Sequence, residues 1–350
     1  MPTVPGNNQQ GIFMENGSGG WMSDLEFTGG AIGAYVEKQQ FTVRNLKFSN
    51  PQKFAVHIHW DWGWAWKDLD ISGAPVAVLQ ASAAITMSLF NIKTTNVLNV
   101  VKYDEGATLL AGSAGTTDVT AWGVGKRYHT TTGDASRALQ DGAAYPRVPK
   151  IMGSLLKSPG DQASGIFERS KPQYDDLQYA DFINILYAPY SARGDGSTGS
   201  TAALNRAFAV AAASNKVLWI PAGSYIVTGT VGLLFTVRSA TAGAVLLEWN
   251  IHESFPGSAA LWDMHIRVGG AKSSELQASD CPKLTGAVNP KWVADHDLEI
   301  VAQTRMDIYV ARGVLIESTG PVWLYGTASE HCVLYQYQLL DAANVFMGMV

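Results

Sequence analysis

Apolar and polar positions alternate in a short phrase that recurs through the first hundred residues: Asp24-Leu25-Glu26-Phe27, Asn45-Leu46-Lys47-Phe48, Asp68-Leu69-Asp70-Ile71 and, more faintly, Phe90-Asn91-Ile92. Alternation with a period of two marks a strand with one buried face. From Leu25 to Leu46, Leu69 and Phe90 the steps are 21, 23 and 21 residues. A fixed period of about this size marks stacked repeats, because one repeat alone cannot bury its apolar face. Small or turn-forming residues follow most phrases (Thr28-Gly29-Gly30, Ser49-Asn50-Pro51, Ser72-Gly73), so each strand ends at a corner. The pattern predicts an all-β chain wound as a parallel β-helix.

The pattern divides the chain into three zones: repeats over 1–125, a polar, Pro- and Gly-containing connection over 126–189, and a second module over 190–350. The second module opens on Gly194-Asp195-Gly196-Ser197-Thr198, a turn. Ser200 or Thr201 then caps a helix with an apolar stripe at Leu204, Ala207, Phe208, Ala211 and Ala212. Asn215-Lys216 ends it. Val217-Leu218-Trp219-Ile220 follows as a buried strand, Pro221-Ala222-Gly223 as a corner, and Ser224 to Val231 as another strand. A short helix at the start of a strand stack protects its open edge, so this module reads as a second β-helix with its own cap.

Composition narrows the function. Charged residues make up 16% of the chain and the net charge is −5, which favours neither nucleic acid nor an anionic membrane as partner. No apolar run reaches the ~18 residues of a membrane span. The opening Met1-Pro2-Thr3-Val4 lacks the basic and apolar regions of a secretion signal. For Cys281 and Cys332 a disulfide and two buried thiols both remain open.

Longer motifs carry a resemblance. Gly194-Asp195-Gly196 with its helix and strand-corner-strand resembles the pectate-lyase-like superfamily. Gln10 to Gly20, Gln39 to Asn45, Trp62-Gly63-Trp64, Trp292 to His296 and Gly320 to His331 together resemble the fungal exo-β-1,3-glucanases of the laminarinase type. The resemblance implies two tandem right-handed β-helix domains, here both incomplete, with the active site between them. It also implies an inverting, extracellular, monomeric glycosidase acting on β-1,3-glucan without metal or cofactor. Segments of the family pattern are missing after Val231 and after Pro290, and the family's general acid follows the stretch matched by Asn344 to Gly348. The expectation is therefore weak or absent activity.

By the same resemblance Glu330 is an acidic residue of the site, Gln10 and Gln40 hold the attacking water, and Asp68 stands where the family has a water-binding serine. An inverting glycosidase needs a proton donor at the leaving oxygen and water on the opposite face of the sugar. Trp60, Trp62, Trp64 and Trp66 alternate along one strand, which predicts a common face able to stack on glucose. An aromatic ladder inside the fold is the competing reading. Trp292 matches a sugar-binding tryptophan. His57, His59 and Asp61 share the spacing of one strand face, but two histidines are weak evidence for a metal. Two other classes stay open. A polysaccharide lyase would need a dense carboxylate cage for Ca²⁺, and none is visible. A non-catalytic glucan-binding protein would need only the aromatic face.

Overall fold

A computed structural model describes residues 4–15, 19–81, 86–127, 138–143, 167, 169–214, 216–226, 256, 260–262, 279, 310, 312–330 and 332–348. They fall into two units: the first takes 1–170, 318–328 and 342–350, the second 171–317 and 329–341.

The first unit is a β-helix. Its strands are β1 (Gln10–Glu15), β2 (Gly20–Thr28), β3 (Ile32–Ser49), β4 (Phe54–Ser72), β5 (Val76–Gln80) and β6 (Met87–Tyr103). All successive pairings are parallel, β1 and β2 on β3, β3 on β4, and β4 on β5 and β6. The register stacks Leu25, Leu46, Leu69 and Ile92, so the fourth member of the column is Ile92 and not Phe90. Phe90 instead pairs with Lys67. Alternation within the fourth phrase is too faint to set its phase, and the buried face decides it.

Two columns of left-handed residues turn the corners. Asp24, Asn45, Asp68 and Asn91 have φ of 59°, 51°, 54° and 53°, and Gly29, Asn50, Gly73 and Asn96 have φ of 70°, 53°, 66° and 54°. Asn, Asp and Gly are the residues that adopt this conformation at low cost. The corner side chains bond along the stack, Asn45 Nδ2 donating to Asp24 Oδ1 at 2.7 Å and Asn91 to Asp68.

Inside the coil, Phe27 stacks on Phe48 at 4.8 Å, and Phe41, Trp64 and Trp66 continue as a stack at 4.7 and 5.1 Å. Val36, Val43, Leu46, Ile58, Ile71 and Leu89 fill the space between. Gly33 is required here, since a Cβ would collide with the Phe48 ring and the Ala55 carbonyl.

After Tyr103 the chain reverses through Asp104-Glu105-Gly106. β7 (Thr108–Arg127) then runs antiparallel on β6, and β8 (Ala138–Ala143) antiparallel on β7. The repeats therefore end at Tyr103 rather than near 125, and a ribbon covers the last parallel edge. Most of the expected 126–189 connection lies outside the described residues, but 167 and 169–170 pack into the first unit. Arg44, 1% exposed, donates to the Arg169 carbonyl at 2.9 Å and pairs with Asp24 at 3.3 Å, and Ser170 donates to Asp24 at 2.7 Å.

The second unit contains β9 (Phe182–Asn184), β10 (Asp195–Gly199), helix α1 (Thr201–Ala213), β11 (Val217–Trp219) and β12 (Ser224–Ile226), with β9 parallel to β11 and β10 parallel to β12. Leu204 and Ala207 of α1 pack against Ile183 and Ile185. Asp195 closes the turn before the helix: Oδ1 accepts from the amides of Ser197 (2.9 Å) and Thr198 (2.7 Å), and Oδ2 from the Thr198 hydroxyl (2.6 Å). Ser200 occupies the N-cap without a side-chain capping bond, its hydroxyl donating to the Thr198 carbonyl. The expected buried strand at Val217 is corrected: Trp219 is 50% exposed. Residues 227–231 of the strand expected after it lie outside the description.

A 23-residue step returns near the C-terminus. In the second unit β13 (Arg312–Ile316) lies parallel to β15 (Tyr335–Leu339), with Arg312 opposite Tyr335. In the first, β14 (Val322–Tyr325) lies parallel to β16 (Val345–Gly348), with Val322 opposite Val345. Among the described residues no helix is long and apolar enough to cross a membrane.

Candidate active site and outer aromatic faces

The Trp-rich strand β4 does not present one face. Val36 of β3 pairs with Ile58, but its neighbour Glu37 pairs with Trp60, so His59 is an extra residue bulged out of the ladder. Beyond it Trp60 and Trp62 point outward, their rings 6.0 Å apart, with Trp62 54% exposed. The strand then turns inward, and Trp64 and Trp66 enter the core at 0% and 1% exposure. Trp64, expected to touch sugar, is instead a core residue; its indole N–H donates to the Lys38 carbonyl. Alternation alone could not reveal this, because the inserted His59 and the consecutive buried pair Gly63-Trp64 each invert the phase.

Gln40 lies beside this outward pair on the preceding turn, opposite Gly63, with its side chain over Gly19. Gln10 stands elsewhere on the coil, in register with Ile32 at the start of β3. Asp68 is a corner residue whose carboxylate is occupied by Lys67 on one oxygen and Asn91 on the other. Asp61 is fully buried, accepting from the Thr86 amide at 3.1 Å, so it does not share a face with the exposed His59. Among the described residues no group of His, Cys, Asp and Glu is arranged to hold a metal.

A second cluster surrounds Lys67, which the sequence did not single out. Lys67 is 5% exposed and its Nζ lies 6.0 Å from the Tyr325 ring centre. Tyr325 meets Trp21 edge-on at 5.8 Å and donates to the Phe167 carbonyl at 2.6 Å. Thr42 donates to the Gly348 carbonyl at 3.0 Å, and Arg44 covers the Trp21 ring at 5.1 Å. The cationic column Arg44–Lys67 is one register step on adjacent turns. The segments Gly320 to Thr327 and Asn344 to Gly348, which carry much of the resemblance, are thereby joined to the first unit.

In the second unit Glu330 is exposed, and its carbonyl accepts weakly from the Cys332 thiol. Cys332 is half-buried rather than buried, with Ser329 Oγ 3.8 Å away. Trp292 and Cys281 lie outside the described residues, as do the expected gaps after Val231 and Pro290.

The family model of rhamnogalacturonase A/epimerase, pectate lyase-like, matches residues 1–79 and 182–240. A glucan 1,3-beta-glucosidase of Cochliobolus carbonum is 30% identical over 97% of this chain, and a probable glucan endo-1,3-beta-glucosidase of Arthroderma benhamiae is 25% identical over 98%. A protein of Penicillium expansum named non-secreted LysM effector LysM15 is 34% identical over 98%. The chain spans 55%, 60% and 31% of these relatives, respectively. The alignment with the glucosidase runs over 449 positions, more than the 350 residues here, so the relative carries segments with no counterpart in this chain. Parallel turns of 21 to 23 residues, left-handed Asn/Asp corners and these matches agree: the chain has the parallel β-helix fold of the pectate-lyase-like proteins and is related to fungal proteins named as glucan β-1,3-glucosidases.

Proposed function

We propose that this protein binds β-1,3-glucan and acts on it as a glycoside hydrolase, releasing glucose from a chain end with inversion. The observation that carries the reading is the alignment of nearly the whole chain with a protein named glucan 1,3-beta-glucosidase. In this reading Trp60 and Trp62, with Trp292, stack on the apolar faces of glucose. Gln40 orients the attacking water, an amide being able to bond water without taking its proton, whereas Gln10, in register with Ile32, is not brought to the same water. Glu330, exposed and able to reach solvent or substrate, supplies or supports the acid at the leaving oxygen. Asp68 is a poor water ligand while Lys67 and Asn91 engage both its oxygens. Turnover is accordingly slow. The partner is a neutral polysaccharide met outside the cell by a monomer, with no role for nucleic acid or membrane.

One observation favours a second reading, a non-catalytic glucan-binding protein: a relative at 34% identity is named a LysM effector. Reducing-sugar release from laminarin separates the two. The hydrolase reading expects measurable release that falls about 10²-fold or more in Glu330→Gln. Laminarin binding without release assigns the second reading, and uronate absorbance generated from polygalacturonate would contradict both.

A further inference from the structure

We propose that the outer face of the first unit around Tyr35, built on rings that the reading above does not use, is a sugar-binding platform and that it takes a short stretch of neutral β-glucan. The substrate class rests on the proposed function; the site does not.

Phe13, Tyr35 and His57 follow one another by register on β1, β3 and β4, a column with one ring per turn. Phe13 stacks on Tyr35 at 5.0 Å and 17°, and the bulged His59 stacks on Tyr35 at 5.6 Å and 25°. His57 meets Tyr35 edge-on at 4.9 Å. The result is a three-ring stack with a fourth ring against its side. Stacks of this kind within the coil, such as Phe27 on Phe48, are buried, whereas here Phe13 is 59% exposed and the His59 side chain 50%. Apolar rings held in order yet open to water mark a binding surface more than a packing solution.

The polar groups around the rings define the ligand. Glu15 and Glu37 are paired in register on adjacent turns, an arrangement that costs stability because like charges face each other. His59 Nε2 lies 4.0 Å from Glu37, at the edge of the ring stack. Carboxylates, imidazoles and the Tyr35 hydroxyl all bond sugar hydroxyls, and the ring faces suit the C–H faces of a pyranose. A polyanionic glycan would meet two carboxylates, so a neutral glycan is the fitting occupant. Turns spaced by about 4.8 Å place the column over about 10 Å, the reach of a short oligosaccharide. The bulge makes the platform: without the extra residue His59 would not rise onto Tyr35.

Laminarihexaose is titrated into the full 350-residue protein while the imidazole NMR signals of His57 and His59 are followed, with cellohexaose in parallel and Phe13→Ala and His59→Ala as variants. The proposal expects saturable shifts at His59 and at least fivefold weaker binding in each variant. Shifts confined to tryptophan indole signals would overturn the platform and leave the proposed function standing. Shifts at His59 with cellohexaose alone would support the platform and remove the β-1,3 preference. No response to either sugar would overturn the platform.

Discussion

Trp64 and Trp62 sit two positions apart in the same strand and carry opposite expectations. Trp64 is sealed between Phe41 and Trp66, so Trp64→Ala removes a large ring from a close-packed stack. A loss of about 3–5 kcal/mol in urea unfolding is expected. Trp62→Ala, at a half-exposed site, should change stability by less than about 0.5 kcal/mol. Equal losses in the two variants would show the inward turn after the bulge to be misplaced. His57 makes a second, pH-dependent prediction. Burial, then the neighbouring His59, pushes its pKa below the usual 6.5, against a smaller opposing pull from Asp104. The folded protein thus resists a proton that the unfolded chain accepts. Stability from this group is full above about pH 6.5 and is lost as pH falls through the lowered folded value. The urea midpoint should drop on acidification below pH 6.5, and His57→Phe should reduce that slope; an unchanged slope would contradict the assignment.

Turns of the coil are held at their corners as much as in their core. Asn45 combines a left-handed backbone with a bond to Asp24, so Asn45→Ala should cost about 1–2 kcal/mol, most of it backbone strain. Asn45→Gly, which removes the bond but not the conformation, should recover part of that loss in the same unfolding assay. The 21- to 23-residue step of these elements was readable because each turn must bury one apolar phrase, and the Asp/Asn that begins each phrase shares the step. The left-handed column Asp24, Asn45, Asp68, Asn91 would have set the fourth phase correctly, since Asn91 precedes Ile92 as Asp24 precedes Leu25. The reversal into β7 was not readable, because an antiparallel strand on the coil's edge alternates just as a parallel turn does. The bulge at His59 was hidden for a related reason: a ladder irregularity is defined by its partner strand, which one sequence does not display. The ring column Phe13, Tyr35, His57 did leave a signal, two equal steps of 22 residues, but it lies outside the alternating phrases.

The two units follow the same design differently. The first stacks parallel turns and closes them with an antiparallel ribbon; the second opens on a helix whose Leu204 and Ala207 cover short parallel pairs. Asp195 governs the second opening. Its carboxylate is held far below the usual range by the Thr198 hydroxyl and by the amides of Thr198 and Ser197. Acidification below about pH 4 should loosen this turn before the coil of the first unit, visible as early loss of amide protection at Ser197 and Thr198, and absent in Asp195→Asn. The likeness to the fungal glucosidases was legible because long motifs survive in order across both units. The roles expected of Glu330, Gln10 and Gln40 rest on resemblance alone, since catalysis depends on groups from distant parts of the chain. The most direct test of the account is a tryptophan fluorescence titration of the intact protein with laminarin and, separately, polygalacturonate. The account predicts saturable quenching by laminarin alone, largely abolished in Trp62→Phe. An equal response to both polymers, or to neither, would contradict it.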